Sequence, residues 1–370
     1  MIRLRVVSDV GEFEGLGRVW DGLLQRSLDN DVFSTWEWLW CWWRHFGEGR
    51  ELRVLVAERG GRIVGIAPLT VSRYSFLGLG RLRRVEFIGF PQADYNNFIL
   101  LGDAVECLRV FMEGLMGFSD WDLIDLRDVR EDSVSAGALS RVGGGLAFKV
   151  RFGECTVCPY IGLPGSIEVF MAGLSRNMRR NLRKRFRRLC RDYRVGFMGQ
   201  RDFGSVDEAM DVFFDLHQRR WRSKGERGSF SSRRVRDFHR DVARAFDERG
   251  WLDLRFLTVN GEPVAAAYTF NYGLKKYGYQ TGFDPKFGRY GVGNLLKLHL
   301  VEECIRRGFR EYDLTRDFEP YKADWATGVR RNMFFRVVRR GLFARAYCWA
   351  IENRFSRSLS LKLGTHLSLG

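Results

Sequence analysis

The chain repeats one segment at an offset of about 200 residues, and this repeat limits the folds open to it more than any other feature. Residues 52–69 read LRVLVAERGGRIVGIAPL and residues 254–270 read LRFLTVNGEPVAAAYTF. Each begins Leu-Arg-x-Leu, turns at Gly60-Gly61 or Asn260-Gly261, and resumes with an apolar run. Such dipeptides supply the positive φ angles that a two-residue hairpin needs. The flanks correspond as well. Helical periodicity covers roughly 13–27 and 35–46 ahead of the first hairpin, with Phe33 between, and roughly 206–224 and 232–248 ahead of the second, with Phe230 between. Helix, helix, hairpin therefore occurs twice.

Beyond the first hairpin the pattern predicts strands near 82–88 and 97–101, a helix over 104–118 and a strand near 122–126. Beyond the second it predicts a strand at 275–283, a helix from about 293 to 307, and strands near 311–314 and 333–338. Hairpins mixed with helices point to an α/β (α+β) class, with a mixed, largely antiparallel sheet flanked by helices in each half. The expected organisation is a first domain over 1–164, a second over 165–341 and a C-terminal helix and tail over 342–370. The boundary is set near Pro164-Gly165-Ser166.

Charge and cysteines narrow the partners. The 61 Lys and Arg against 45 Asp and Glu give +16, which favours an anionic partner: a phosphorylated cofactor, a nucleotide-linked substrate, nucleic acid or an anionic membrane. Seven widely spread cysteines do not form a disulfide framework and fit a reducing cytoplasm. Cys155 and Cys158 form one CxxC with no second pair or histidine pair at zinc spacing, so they read as buried thiols and no metal is expected. Residues 1–10 lack the apolar core of a signal peptide and no window reads as a membrane span, so the expected location is cytoplasmic, with peripheral contact at the inner membrane face left open. Serine-hydrolase, zincin and P-loop motifs are missing from the sequence.

Residues 175–194 read SRNMRRNLRKRFRRLCRDYR, with ten Arg or Lys after Ser175. Met178, Leu182, Phe186, Leu189 and Cys190 recur at helical spacing and predict a narrow apolar stripe on a basic helix capped by Ser175. The basic face reads as solvated, as a contact for anionic lipid or a polyanionic substrate through 176–194, or as an RNA contact, against which the poor aromatic interleaving counts.

Residues 288–296 read GRYGVGNLL, between the strand ending at Phe283 and the helix opening near Gly293. A glycine-bearing turn at a helix N-terminus presents unpaired N–H groups to a phosphate. Arg289, Gly291, Gly293 and Asn294 are therefore the expected donor-binding residues.

At this point the sequence resembles the CelD-like acetyltransferases of cellulose biosynthesis. The resemblance rests on Phe33-Ser-Thr-Trp-Glu-Trp, Trp42-Trp43-Arg44-His45-Phe46-Gly47, Ile63-Val64-Gly65-Ile66-Ala67-Pro68-Leu69, Leu216-His217-Gln218-Arg219-Arg220-Trp221, Tyr279-Gln-Thr-Gly282-Phe283-Asp284-Pro285, Tyr312-Asp313, Tyr321-Lys322 and Trp325, which run in the family's order from about 30 to 330. It implies tandem GNAT-like domains related to the FemABX transferases. It also implies acyl transfer from acetyl-CoA or another acyl-CoA to an amine or hydroxyl of an anionic sugar, exopolysaccharide or cell-envelope precursor. Arg289-x-Gly291-x-Gly293 is one residue shorter than the usual GNAT loop, and no such loop precedes the helix at Ala104, so the first domain reads as a degenerate copy. Two alternatives stay open: FemABX-like transfer from aminoacyl-tRNA, and a non-catalytic assembly protein with an inactive GNAT fold.

Acyl transfer needs a preorganised N–H donor for the oxyanion, implied within 277–283, and a route for the acceptor's proton. Candidates for catalysis are Asp284 at the strand end, Tyr279 in alternation with Tyr277, and His217 on one helix face with Trp221. Candidates for substrate contact are Trp221, His239, Asp313 at a strand end, the anion clamp Tyr321 and Lys322, and Asp94 and Tyr95 in the loop after Pro91.

Overall fold

The computed structural model describes residues 1–75, 81–145, 150–339 and 346; the helix expected at 342–358, residue 346 apart, lies outside them. Both turn dipeptides adopt the expected positive φ: 57° and 75° at Gly60 and Gly61, 54° and 93° at Asn260 and Gly261. The hairpins close across Arg59–Arg62 and Val259–Glu262.

Contacts divide the chain into two units, Met1–Thr156 with Arg331–Gly370, and Val157–Arg330. Unit 1 opens with β1 (Arg3–Val7), α1 (Val10–Leu24), α2 (Trp36–Phe46), β2 (Glu51–Leu52), β3 (Val54–Arg59), β4 (Arg62–Ala67), β5 (Leu69–Ser75), β6 (Arg81–Phe87) and β7 (Ile99–Leu100). It continues with α3 (Ala104–Gly117), β8 (Leu123–Arg130) and α4 (Val134–Gly143). One sheet has the order β1-β3-β4-β7, all antiparallel. The order β2-β5-β6-β8 forms another run, with β6 and β8 parallel. Pro68 separates β4 from β5; it has no N–H to continue the ladder, and the chain changes sheets there. Leu55, Leu69, Val85, Phe111, Leu126 and Phe335 are buried in this unit's core.

The strand β9 (Val150–Gly162) leads into unit 2, which contains α5 (Ile167–Gly173), α6 (Arg176–Asp192), β10 (Val195–Gly199), α7 (Val206–Arg222), α8 (Arg233–Glu248), β11 (Leu252–Val259) and β12 (Glu262–Tyr272). After β13 (Lys275–Phe283) come α9 (Val292–Arg306), β14 (Glu311–Asp313) and α10 (Pro320–Ala323). The sheet order is β10-β11-β12-β13-β14-β9, antiparallel except for β13 with β14. The last strand, β15 (Gly328–Val338), was expected with the second domain. From Arg331 onward it belongs to unit 1, because its residues Asn332–Val338 pair with β8.

The repeat is deeper than the hairpins. Strand, helix, helix, hairpin, strand, helix and a final parallel strand run through β1, α1, α2, β3–β4, β6, α3 and β8, and again through β10, α7, α8, β11–β12, β13, α9 and β14. Helix α7 shows the local logic. Ser205 Oγ accepts the Glu208 N–H at 3.1 Å, Asp207 and Glu208 face the positive end of the helix dipole, and Arg219, Arg220 and Arg222 occupy its negative end. Its buried face carries Ala209, Met210, Phe213, Phe214, Leu216 and His217 at helical spacing.

The basic helix forms as α6, with Ser175 Oγ accepting the Met178 N–H. Its apolar stripe is narrower than predicted: Leu182 and Leu189 are buried, whereas Phe186 and Cys190 are exposed. No helix of the described residues is long and apolar enough to cross a membrane.

Candidate functional site

Strand β13 pairs with β14 at only three positions, Lys275–Glu311, Lys276–Tyr312 and Tyr277–Asp313. From Gly278 to Phe283 its ladder is with β12 alone. The ladder slips there: Thr269 pairs with Gly278 and Tyr268 with Gln280, so Tyr279 is the extra residue of a bulge. The predicted alternation of Tyr277 and Tyr279 is broken by this bulge. Tyr277 is buried, while the Tyr279 hydroxyl meets His239 Nε2 at 3.4 Å.

A short 3₁₀ turn, Pro285–Tyr290, links β13 to α9 and is capped by Asp284, whose Oδ1 accepts the Lys286 N–H at 2.9 Å. Gly291 then takes a left-handed conformation, φ 65°, and serves as the N-cap of α9 without any side chain to fill the position. The Asn294 and Leu295 amides return to Gly291 O, leaving the Val292 and Gly293 amides without a partner among the described residues. The equivalent helix of unit 1 differs at this point: Asp103 caps α3 with its own carboxylate, accepting the Glu106 N–H at 3.0 Å. A carboxylate there already occupies what an anion would take, whereas α9 keeps its amides open.

Helix α6 lies over this turn. A Cβ at Gly291 would come within 2.7 Å of Arg185 Nη1, so the guanidinium rests where a side chain would stand. Arg188 lies 5.3 Å from the Tyr290 ring. Arg289 Nη2 donates to the Tyr290 hydroxyl at 2.8 Å, and that hydroxyl donates to Asp192 at 2.7 Å. Gly293 is open, with only Phe283 Cδ1, at 3.7 Å, near the place of a Cβ.

Asp284 is tied down: its Oδ2 accepts from Arg219 at 3.1 Å, and Arg219 also pairs with Asp215 at 2.6 Å. These three residues line a cavity of about 600 Å³ with Asp211, Glu262 and Phe287. His217 is buried and accepts from Trp221 Nε1 at 2.8 Å on Nε2. Burial, then Arg220, push its pKa down to about 3, so it stays neutral where enzymes work, with Nε2 already taken by Trp221. His239 is also buried, beside Tyr279 and Tyr268. Asp313 is buried and held by Arg330 at 3.1 Å and by the Thr315 N–H at 2.8 Å. Asp94 and Tyr95 are buried in unit 1, where Asn332 Nδ2 donates to Asp94 O at 2.9 Å and Tyr95 packs on Phe33. Cys155 and Cys158 are buried thiols; burial and Asp128 raise the Cys155 thiol to about 12.

Around Tyr321 the structure gathers a cluster only half foreseen. Lys322, read from the sequence as a clamp, is buried, and its Nζ donates to Arg316 O at 2.6 Å. Lys297 and Arg220 join it. Arg220 Nη1 donates to Thr281 O at 3.1 Å and to Thr281 Oγ1 at 2.9 Å, on the part of β13 that β14 leaves unpaired. Arg220 lies 5.6 Å from the Tyr321 ring, and Lys297 Nζ 4.5 Å from it. A signal for Lys297 was present: it stands in the stripe of α9 that carries Leu296, Leu300 and Val301, where an apolar residue belongs.

Residues 176–323, all within unit 2, match the family model of the acetyltransferase (GNAT) domain. No curated protein matches the chain. Among solved structures, FemX aligns over 90% of this chain and 96% of its own, with a TM-score of 0.64 at 12% identity. L-PGS from Bacillus licheniformis aligns over 92% and 96%, with a TM-score of 0.55 at 10% identity. A conserved protein of unknown function from Bacteroides thetaiotaomicron aligns over 92% and 100%, at 0.52 and 12%. At these identities the likeness is one of fold, and the fold is that of the GNAT acyltransferases.

Proposed function

We propose that this protein is an acyltransferase whose unit 2 takes an acyl-CoA and passes the acyl group to an amine or hydroxyl of a sugar or cell-envelope precursor. The observation that carries the reading is the open N-terminus of α9, with two unpartnered amides beneath Arg185, where unit 1 closes the matching position with Asp103. A donor's pyrophosphate fits such amides by charge and by hydrogen bonding. Arg289 and Asn294 flank the same turn.

In this reading the thioester lies along Gly278–Phe283, with a backbone N–H of the bulge at Tyr279 directed at the developing oxyanion. The acceptor attacks the carbonyl carbon and gives up its proton, the tetrahedral adduct collapses with cleavage of the carbon–sulfur bond, and the leaving thiolate takes up that proton through solvent. Tyr279 and Asp284 act here as positioning groups, because His239 and Arg219 already hold them. The cavity beside Asp284, with Asp211, Asp215 and Glu262 on its wall, suits a positively charged acceptor amine.

The test is thermal stability with acetyl-CoA and with aminoacyl-tRNA, paired with thioester turnover. A ligand at 100 times its Kd stabilises by about 2.7 kcal/mol. Gly293→Ala is expected to keep turnover, since its Cβ meets open space, and Gly293→Trp to abolish it with the fold intact. Turnover persisting in Gly293→Trp would remove α9 from the donor site.

A second reading is aminoacyl transfer from tRNA, as in the FemABX transferases, to which the family that the sequence resembles is related. What favours it is the run of basic residues on the exposed face of α6 beside the same turn. Retention of charged tRNA without any response to acetyl-CoA would select it.

A further inference from the structure

We infer that unit 2 contains a buried site for an oxyanion, a phosphate or carboxylate group, formed by Arg220, Lys297 and Tyr321. The inference goes beyond the acyl-donor reading, because these residues are not those of the α9 N-terminus.

The side chains come from three elements. Arg220 of α7 is 7% exposed. Among the described residues it donates to the neutral Thr281 O and Oγ1 and also bonds Tyr321, and its Nε is buried without a partner. A guanidinium keeps its charge at any pH a protein survives. Lys297 of α9 is 6% exposed and has no hydrogen bond or ion pair among the described residues; its Nζ faces the rings of Tyr321 at 4.5 Å and Trp325 at 5.6 Å. Lys322 of α10 stands on the same side, with Glu319 as the acidic neighbour. Arg220 and Lys297 are thus two buried basic groups with no ion pair among the described residues, an arrangement that is unfavourable unless an anion completes it.

Lys297 shows how the empty site is tolerated. Burial first, then the like charges of Lys322 and Arg220, bring its amine down to about 7, with Glu319 acting in the opposite direction. Above that pH the empty site sheds the Lys297 proton and loses one charge. An arriving oxyanion supplies the missing counter-charge, raises the Lys297 pKa and restores the proton to Nζ from solvent. The sign follows. Below about pH 7 the amine is already protonated and binding takes up little; between that pH and the raised pKa of the filled site binding takes up as much as one proton, and affinity falls across that interval. The unpaired edge of β13 at Thr281 borders the site, so the anion belongs to a molecule lying along that strand.

The experiment is calorimetric titration of the full chain with sulfate, a non-titrating stand-in for phosphate, and separately with acetate. Each is run at about pH 6 and about pH 8 in buffers of differing ionisation enthalpy. Whichever anion binds the wild-type protein names the source. It should take up about one proton at the higher pH and almost none at the lower. Lys297→Met should melt higher than wild type, since it fills a core position of α9 without a buried amine, and should bind the anion without proton uptake. Gly293→Trp should keep both binding and uptake, which separates this site from the donor turn. Binding of neither anion by the wild-type protein, unchanged uptake in Lys297→Met, or a lower Tm in that variant would each overturn the inference. Loss of turnover in Gly293→Trp bears on acyl transfer alone.

Discussion

Gly282→Ala is expected to lose about 3 kcal/mol or more of stability, a large effect for one methyl group. Gly282 lies in β13 opposite Ala266 of β12, and α7 crosses directly above it. A Cβ there would stand 2.3 Å from His217 N, 2.6 Å from His217 Cα and 2.7 Å from Leu216 C. These are backbone atoms in the middle of a helix, so no rotamer change relieves the overlap; strand or helix has to move. Movement would also withdraw Arg220 from Thr281, one residue before Gly282. Gly288→Ala is the control, because a Cβ there meets nothing within 4 Å. It should fall within about 0.5 kcal/mol of wild type. Urea unfolding of the two variants checks the pair, and near-equal midpoints would show that α7 does not rest on the strand as described.

The contrast between these two glycines also explains what the sequence disclosed. Gly60-Gly61 and Asn260-Gly261 announced their hairpins because the φ requirement is local, and the two adjacent residues carry it alone. The strand over 275–283 and the helices α1, α2, α7 and α8 were legible from their periodicity, which needs no knowledge of what they pack against. Strand β9 was missed: Gly153 and Pro159 interrupt a sequence whose extended form is fixed by pairing with distant Glu311–Asp313. Helix α4 was missed because Val134–Gly143 is built largely of small residues with little contrast between faces. The bulge at Tyr279 is a property of two strands together, so alternation read along one of them does not disclose it.

The candidate site divides in the same way. The glycine-bearing turn at the start of a helix was readable from local chemistry, although the helix begins at Val292 and not at Gly293. The fate of Asp284 was not, since it depends on Arg219 arriving from α7; the shared face of His217 and Trp221 was legible, but the burial of His217 was not. Lys297 was overlooked because a lysine in a helix is ordinarily solvated; only its place in the buried stripe marked it.

Asp253→Asn should cost about 3–5 kcal/mol, the range found when one partner of a buried ion pair is removed. Asp253 in β11 pairs with Thr269 of β12. Its carboxylate accepts from Lys276 of β13 and, at 2.7 Å, from Arg255 Nε. Lys276 is 1% exposed and otherwise donates to Asn271 Oδ1 at 2.8 Å. Arg255 continues to Glu303 of α9 at 2.7 Å, so the carboxylate links three strands to the helix whose N-terminus forms the proposed donor site. The asparagine keeps the shape and removes only the charge, leaving Lys276 buried against neutral groups. Replacing Asp253 and Lys276 together by leucine should recover most of the loss, because no buried charge then lacks its partner. Acid supplies an independent check. Burial alone would raise the Asp253 carboxyl, yet Lys276 and Arg255 outweigh it and hold the pKa below the usual 3.8. A depressed carboxylate pKa stabilises the fold above its unfolded value and loses that contribution as pH falls through the folded one. The gap between wild type and Asp253→Asn should therefore be full above about pH 4 and narrow below it. Denaturant titrations across that interval measure it, and a gap that stayed constant would mean the carboxylate charge does not hold these elements together.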